Sequence, residues 1–137
     1  MVVGGANGIG LAIATELAKR DKTKKVYIID KSPLSDENRL PKMESYQCDL
    51  TGNDFSIFDK LQDIDGLMIT AGFGRLALFK DVPESMIATY FNVNTIGVIR
   101  VIKHYYDKLF KRRFLLWCNG KHCWFYVISV LLALWGD

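Results

Sequence analysis

Apolar runs and helix-spaced apolar residues take turns along this chain. Val2-Val3 is followed by a helical stretch from about Ile9 to Arg20, and then by Lys25-Val26-Tyr27-Ile28-Ile29-Asp30, a run apolar enough for a buried strand. Together these predict one β-α-β unit. Ser32 to Lys42 holds two prolines and many polar residues and reads as a loop, leading to a short strand at Tyr46-Gln47-Cys48 and a turn at Thr51-Gly52-Asn53. Phe55, Phe58 and Leu61 recur at helical spacing, and Asp65 to Thr70 predicts a fourth strand that ends at Ala71-Gly72. From Glu84 to about Lys111 the pattern is helical throughout, with Val98, Val101, Ile102, Tyr105 and Leu109 on one face. Strands alternating with helices predict an α/β fold, a doubly wound parallel sheet with right-handed crossovers.

With 137 residues, half of them apolar, the chain can bury one domain core and has no room for a second of ordinary size. The net charge of +3 comes from 18 basic and 15 acidic side chains, concentrated locally at KRDKTKK and KLFKRR. Both clusters fall where helices should end, a place that favours cations, and the charge is too mild to imply a nucleic-acid partner. Cys48, Cys118 and Cys123 form an odd set without zinc-ligand spacing, and no charged-then-apolar leader precedes them. A reduced, cytoplasmic protein without a metal site is expected.

The string VVGGANGIG lies between the first strand and the first helix, with glycines at Gly4, Gly8 and Gly10. A tight turn, a close approach of backbone to a pyrophosphate, and close helix-strand packing each ask for a residue without a side chain. The helix opening at Gly8 aims free N–H groups and the positive end of its dipole at phosphates. In its spacing, Gly4-x-x-x-Gly8-Ile9-Gly10, the chain resembles the short-chain dehydrogenase/reductase family, and further family segments follow in order. Asp30, twenty residues after Gly10, ends the second strand where an acid accepts from the adenosine ribose hydroxyls. Cys48-Asp49-Leu50 is similar to the family's adenine contact, with Asp49 facing the exocyclic amine, and Ala71-Gly72 is similar to the end of its Asn-Asn-Ala-Gly segment. Asn94-Thr95-Ile96-Gly97 is similar to the family's Asn-x-x-Gly, whose asparagine kinks a helix and holds a proton-relay water.

The resemblance covers roughly residues 2 to 112 and implies a Rossmann-like sheet, incomplete on its C-terminal side. It divides the chain into a dinucleotide-binding portion, residues 1–112, and an apolar tail, residues 113–137. It implies a cofactor held by Gly4, Asn7, Gly8, Ile9, Gly10, Asp30, Lys31, Asp49, Leu50, Ala71 and Gly72, with Asn94 supporting a proton relay. It also implies a small carbonyl or alcohol substrate and a homo-oligomer formed through the Asn94-containing helix. A 2′-phosphate beside the Asp30 carboxylate would set like charges about 4 Å apart, worth about 4 kcal/mol at an effective dielectric near 20. Lys31 offsets part of this, but it is flexible and hydrated, so NAD is expected over NADP. Val3 stands where the family usually has threonine, and Ile69-Thr70 replace its two asparagines, so some hydrogen bonds bracing the pocket are expected to be missing.

The family's catalytic serine belongs on a fifth strand, with Tyr-x-x-x-Lys about thirteen residues later, the tyrosine acting as acid–base and the lysine lowering its pKa. No such set follows Gly97: Tyr126, in the tail FLLWCNGKHCWFYVISVLLALWGD, has Val130 four positions on. The expectation is an oxidoreductase-type NAD(H) binder, truncated and without Ser, Tyr and Lys; the alternative is a catalytically inert nucleotide-binding remnant or an interaction module. A change of reading frame between about Leu109 and Trp117 would account for the tail. One nucleotide on, Trp124 and Trp135 become glycine codons, and neighbouring codons permit Ser-Ile-Ala-Gly and Tyr-Gly-Ala, with serine and tyrosine thirteen apart. Cys123 to Trp135 is apolar except for Ser129, but a membrane-spanning helix needs about 20 residues, so insertion is not expected. Val127 to Leu134 is expected to pair beside the fourth strand as a substitute fifth strand, or to stay exposed.

Overall fold

The computed structural model describes residues 1–74, 76–109 and 115–118. Among these residues the sheet is all parallel and has five strands: β1 (Val2–Val3), β2 (Val26–Asp30), β3 (Met43–Gln47), β4 (Gly66–Ile69) and β5 (Leu115–Cys118). Their order is β3-β2-β1-β4-β5, which reverses direction between β1 and β4, so the expected doubly wound α/β sheet is present. Val2 pairs with Ile28 on one side and Met68 on the other, and Val3 with Ile29 and Ile69, so the short β1 is the centre of the sheet.

Both faces of the sheet are covered, which is why its strands read as continuous apolar runs rather than alternating ones. On one face α1 (Gly8–Lys19) lays Ala14 and Ala18 against Val2, Val26 and Ile28. Alanines there let the helix come close. On the other face Phe55, Phe58, Val98, Val101, Ile102 and Tyr105 pack against Val3, Ile29, Leu67 and Ile69. These come from α2 (Ser56–Lys60) with the residue before it, and from α4 (Val98–His104) with the residue after it. Full burial of one such side chain stabilises by about 1.5–3 kcal/mol. Tyr105 is tolerated at the centre because its hydroxyl donates to the carbonyls at the end of α2, Leu61 at 3.1 Å and Phe58 at 3.3 Å. Burial raises the pKa of this phenol above its ordinary value.

β3 begins at Met43 rather than at the expected Tyr46, and Cys48 lies just beyond its end. Only Met43 is buried along this strand, and an edge strand with Glu44, Ser45 and Gln47 leaves little apolar pattern to read. The stretch expected to be helical from Glu84 to about Lys111 is helical without a gap from Glu84 to His104, but its register changes inside: α3 (Glu84–Phe91), six π-helical residues (Asn92–Gly97), then α4. It stops at His104, because Tyr105 leaves helical geometry (φ −115°, ψ 13°) to bring its ring into the core, and a 3-10 turn follows at Tyr106–Lys108. Lys111 lies outside the described residues. By length and composition alone, Glu84–His104 is long and apolar enough to cross a membrane, but its Val98, Val101 and Ile102 face is buried in the core of this sheet.

Beside β4, where Val127–Leu134 were expected, the place is taken by β5, with Gly66 paired to Leu115 through to Ile69 paired to Cys118. Leu115–Cys118 is the first apolar run after α4 to reach that edge; Val127–Leu134 themselves lie outside the described residues. Leu116 and Cys118 pack on the core, while Leu115 and Trp117 are exposed.

Candidate functional site

The carboxyl ends of β1, β2 and β4 open onto a cleft of about 580 Å³ at the point where strand order reverses, the general place for ligands in open α/β sheets. Gly4, Asn7, Gly8, Ile9, Gly10, Asp30, Lys31, Asp49, Leu50, Ala71 and Gly72 all line it. They arrive from four separate connections, so the fold brings together what the sequence spreads over nearly seventy positions.

The floor is the turn between β1 and α1. Gly4 has φ 84°, and a Cβ there would collide with the backbone of Ala71. A Cβ on Gly10 would collide with the carbonyl of Gly4 and the hydroxyl of Thr70. Gly8 differs: its φ is 53°, but a Cβ would meet nothing within 4 Å among the described residues, so the space beside it is open cleft. Asn7 caps α1 in extended conformation without a side-chain cap bond among the described residues, and the first turn holds no acid. The first N–H groups of the helix, which have no intrahelical acceptor, face this space with the positive end of the dipole.

Thr70 supplies a brace that the replacement of asparagine was expected to remove. Its hydroxyl lies 2.9 Å from the Gly4 carbonyl and 3.0 Å from that of Val3, so the one proton it donates holds the glycine turn to β4. The backbone N–H groups of Thr70 and Ala71 add bonds of 2.8 and 2.9 Å to the same Val3 carbonyl. With Val3 lacking a hydroxyl, the polar link between the two central strands comes from the β4 side.

The walls carry the charges. Asp30 accepts from the Ala6 N–H through Oδ2 and from the Ser32 N–H through Oδ1, both at 3.0 Å. It is thus tied to the glycine turn and to its own loop at once. Asp49 accepts through Oδ1 from the Thr51 N–H at 2.8 Å and the Thr51 hydroxyl at 2.7 Å. Those bonds, the backbone one first, hold its pKa below the ordinary carboxylate value. Burial raises the pKa of the Cys48 thiol beside it. Asn94, in the π-helical segment, is outside the lining but grips it: Oδ1 accepts from the Phe73 N–H at 2.9 Å and Nδ2 donates to the Phe73 carbonyl at 2.8 Å. Gly72 leaves room for this grip: a Cβ there would stand 3.0 Å from Asn94 Oδ1, a tight contact that the amide would have to yield to.

Sequence reasoning missed Thr70, Ser32, Phe73, Thr89 and Val93, which also line the cleft. A hydroxyl at the carboxyl end of a central strand was the available signal for Thr70; the others have none. The chain does contain one Tyr-x-x-x-Lys string, Tyr27 to Lys31, but it runs along β2 and into the loop. An extended strand sets such residues about 13 Å apart, whereas a helix would bring them side by side.

A sequence profile of the short chain dehydrogenase family matches residues 1–114, and the chain belongs to that family, as its glycine spacing implied. Its fold is similar to that of a short chain dehydrogenase family protein from Francisella tularensis subsp. tularensis SCHU S4, at 22% identity and a TM-score of 0.70, over 88% of this chain and 50% of that one. It is similar also to a short chain dehydrogenase/reductase from Saccharomyces cerevisiae, at 19% identity and 0.69, over 89% and 53%. A third is a 4-hydroxyisoleucine dehydrogenase solved with NADH and succinate, at 21% identity and 0.64, over 79% and 50%. These likenesses show the fold, and the chain spans about half the length of those proteins. No curated protein matches it.

The family binds nicotinamide dinucleotides and small substrates. The residues present fit such a cofactor: open space at Gly8, unspent helix N–H groups for a pyrophosphate, and carboxylates at Asp30 and Asp49 for hydroxyl and amine donors.

Proposed function

We propose that the cleft binds NAD(H) in preference to NADP(H), and that the chain holds the cofactor without the acid–base pair its family uses. The observation that supports the preference is the fixing of Asp30. With both oxygens engaged by backbone N–H groups, the carboxylate cannot swing away from a 2′-phosphate. The repulsion, about 4 kcal/mol raw at 4 Å and a dielectric near 20, then falls on the ligand. Lys31 is exposed and pays for its hydration shell if it is to compensate.

When bound, the nicotinamide supplies a hydride acceptor or donor for a small carbonyl or alcohol. The protein's part would be a proton at the substrate oxygen, and no Tyr-x-x-x-Lys follows Gly97 to provide it. Loss of the acid–base alone lowers such a rate by about 10² to 10⁴. Asn94, holding Phe73, remains from the family's catalytic positions. The same reading carries a homo-oligomer across the helix face that exposes Phe91, Ile96 and Ile99.

Titration with NADH and NADPH, followed by cofactor fluorescence, tests the proposal. Saturable NADH binding is expected, with NADPH weaker by about tenfold or more. Asp30→Asn keeps an acceptor and removes the charge, and should bring the two affinities together. Equal affinities in the wild type would remove Asp30 as the selector; binding of neither would remove the cofactor reading.

A further inference from the structure

Residues 94–100 touch the cleft wall at two places far apart in the chain. Asn94 grips Phe73 on the β4 side. Gly97 lies against Leu50 on the other, where a Cβ would come 2.8 Å from the Leu50 Cβ and 3.2 Å from its carbonyl oxygen. Three residues on, Arg100 reaches over the turn that follows Leu50. Its Nη1 donates to the Gly52 carbonyl at 2.7 Å, and its guanidinium lies 3.8 Å from the centre of the Phe55 ring.

The turn is closed on its other side by Asp49, whose side chain takes the Thr51 N–H and whose carbonyl takes the Gly52 N–H at 3.0 Å. A guanidinium held at its tip by a carbonyl and along its face by an aromatic ring is a planar, pre-organised group, and a half-buried one. It forms a strut between α4 and the turn that presents Asp49, Leu50 and Thr51 to the cleft. Arg100 itself is not among the lining residues, so whatever it does for a ligand it does through that turn.

We propose that Arg100 is a positioning residue for recognition of the adenine ring: by fixing Gly52 it sets where Asp49 stands on the cleft wall. This rests on the dinucleotide reading above. A purely structural strut would weaken every ligand alike, whereas a strut that places Asp49 acts on the ligand's exocyclic amine.

The test compares NADH, NADPH and reduced nicotinamide hypoxanthine dinucleotide, which has no exocyclic amine, on wild type, Arg100→Ala and Arg100→Lys. The wild type should prefer adenine over hypoxanthine by about tenfold, the worth of one charge-assisted hydrogen bond. Arg100→Ala should shrink that ratio to about twofold while leaving the NADH-to-NADPH ratio in place, and Arg100→Lys, which keeps a charged donor, should recover part of it. In the ligand-free protein, hydrogen exchange of the Thr51–Asn53 amides should quicken in Arg100→Ala and stay as it was in β1 and β2. An unchanged adenine ratio, a uniform loss for all three ligands, or no adenine preference in the wild type would each overturn the assignment. If the wild type binds no dinucleotide, the cofactor reading fails and adenine recognition with it. Exchange would then judge the strut alone: quickened exchange upholds it, and unchanged exchange removes it too.

Discussion

The glycine turn and the segment that leaves the cleft after β4 are held in different ways. Gly4–Gly10 is packed so tightly onto β4 that two of its glycines have no room for a Cβ, and Thr70 and Asp30 each engage its backbone. The stretch from Gly72 to Val82 instead exposes Phe73, Leu76, Leu78 and Phe79, and Asn94 and the Tyr90 ring, 4.9 Å from that of Phe73, tie it down at its start. On the proposed cofactor reading, the glycine turn offers a pyrophosphate N–H groups that are already in place, and ordering them on binding would cost affinity.

The sharpest way to break this comparison is at the glycines. Gly10→Ala drives a Cβ into the Gly4 carbonyl, backbone that has no freedom to yield, and should cost about 3 kcal/mol along with cofactor binding. Gly8→Ala has open space and meets only the penalty of its positive φ, about 1–2 kcal/mol. Urea midpoints of the two variants measure the difference, and equal losses would mean that the turn is not braced against β4. Asn94→Ala comes next. It removes two bonds to Phe73, but water can replace them at that exposed backbone, so about 1 kcal/mol is expected. Its signature is local: amide exchange should rise at Phe73 and not at Gly4 to Ala6, and a rise at both would show the two sides to be one unit.

The smallest effect concerns pH. Thr51 stabilises the charged form of Asp49 and lowers its pKa, so the contribution to stability is full above the unfolded value near 3.9 and fades as pH falls through the lowered one. Exposure limits it to less than about 1 kcal/mol. Between wild type and Asp49→Asn, the gap in urea midpoint should be present at about pH 6 and shrink below about pH 4. A gap that persists in acid would mean that the turn does not depend on the charge.

What the sequence discloses here is what depends on neighbours along the chain. Glycine spacing, the apolar runs of the inner strands, and the buried face of Val98, Val101, Ile102 and Tyr105 all follow from local pattern, and the structure has them in place. Asp30 stands out by its place at the end of the second strand and Asp49 by the family resemblance of Cys48-Asp49-Leu50, and both line the cleft. Thr70 was read as a loss because its acceptors lie 66 and 67 residues away and only the finished sheet brings them near. Arg100 reads as an ordinary solvated cation on a helix until Gly52 arrives 48 residues distant in sequence. The π-helical residues leave no periodic mark either, since an added residue changes the phase of a helix only beyond itself.

Those six residues, Asn92–Gly97, make the helix longer than its path requires, for a π-turn is an α-helix with one residue to spare. Removing one would let α3 and α4 join in an uninterrupted ladder, with Val98 to Tyr105 still facing the core. Asn94 would then fall out of phase with Phe73. A chain shortened by one residue here would keep the core face of α4 and lose the hold of Asn94 on the cleft wall, so the surplus residue serves the cleft rather than the core.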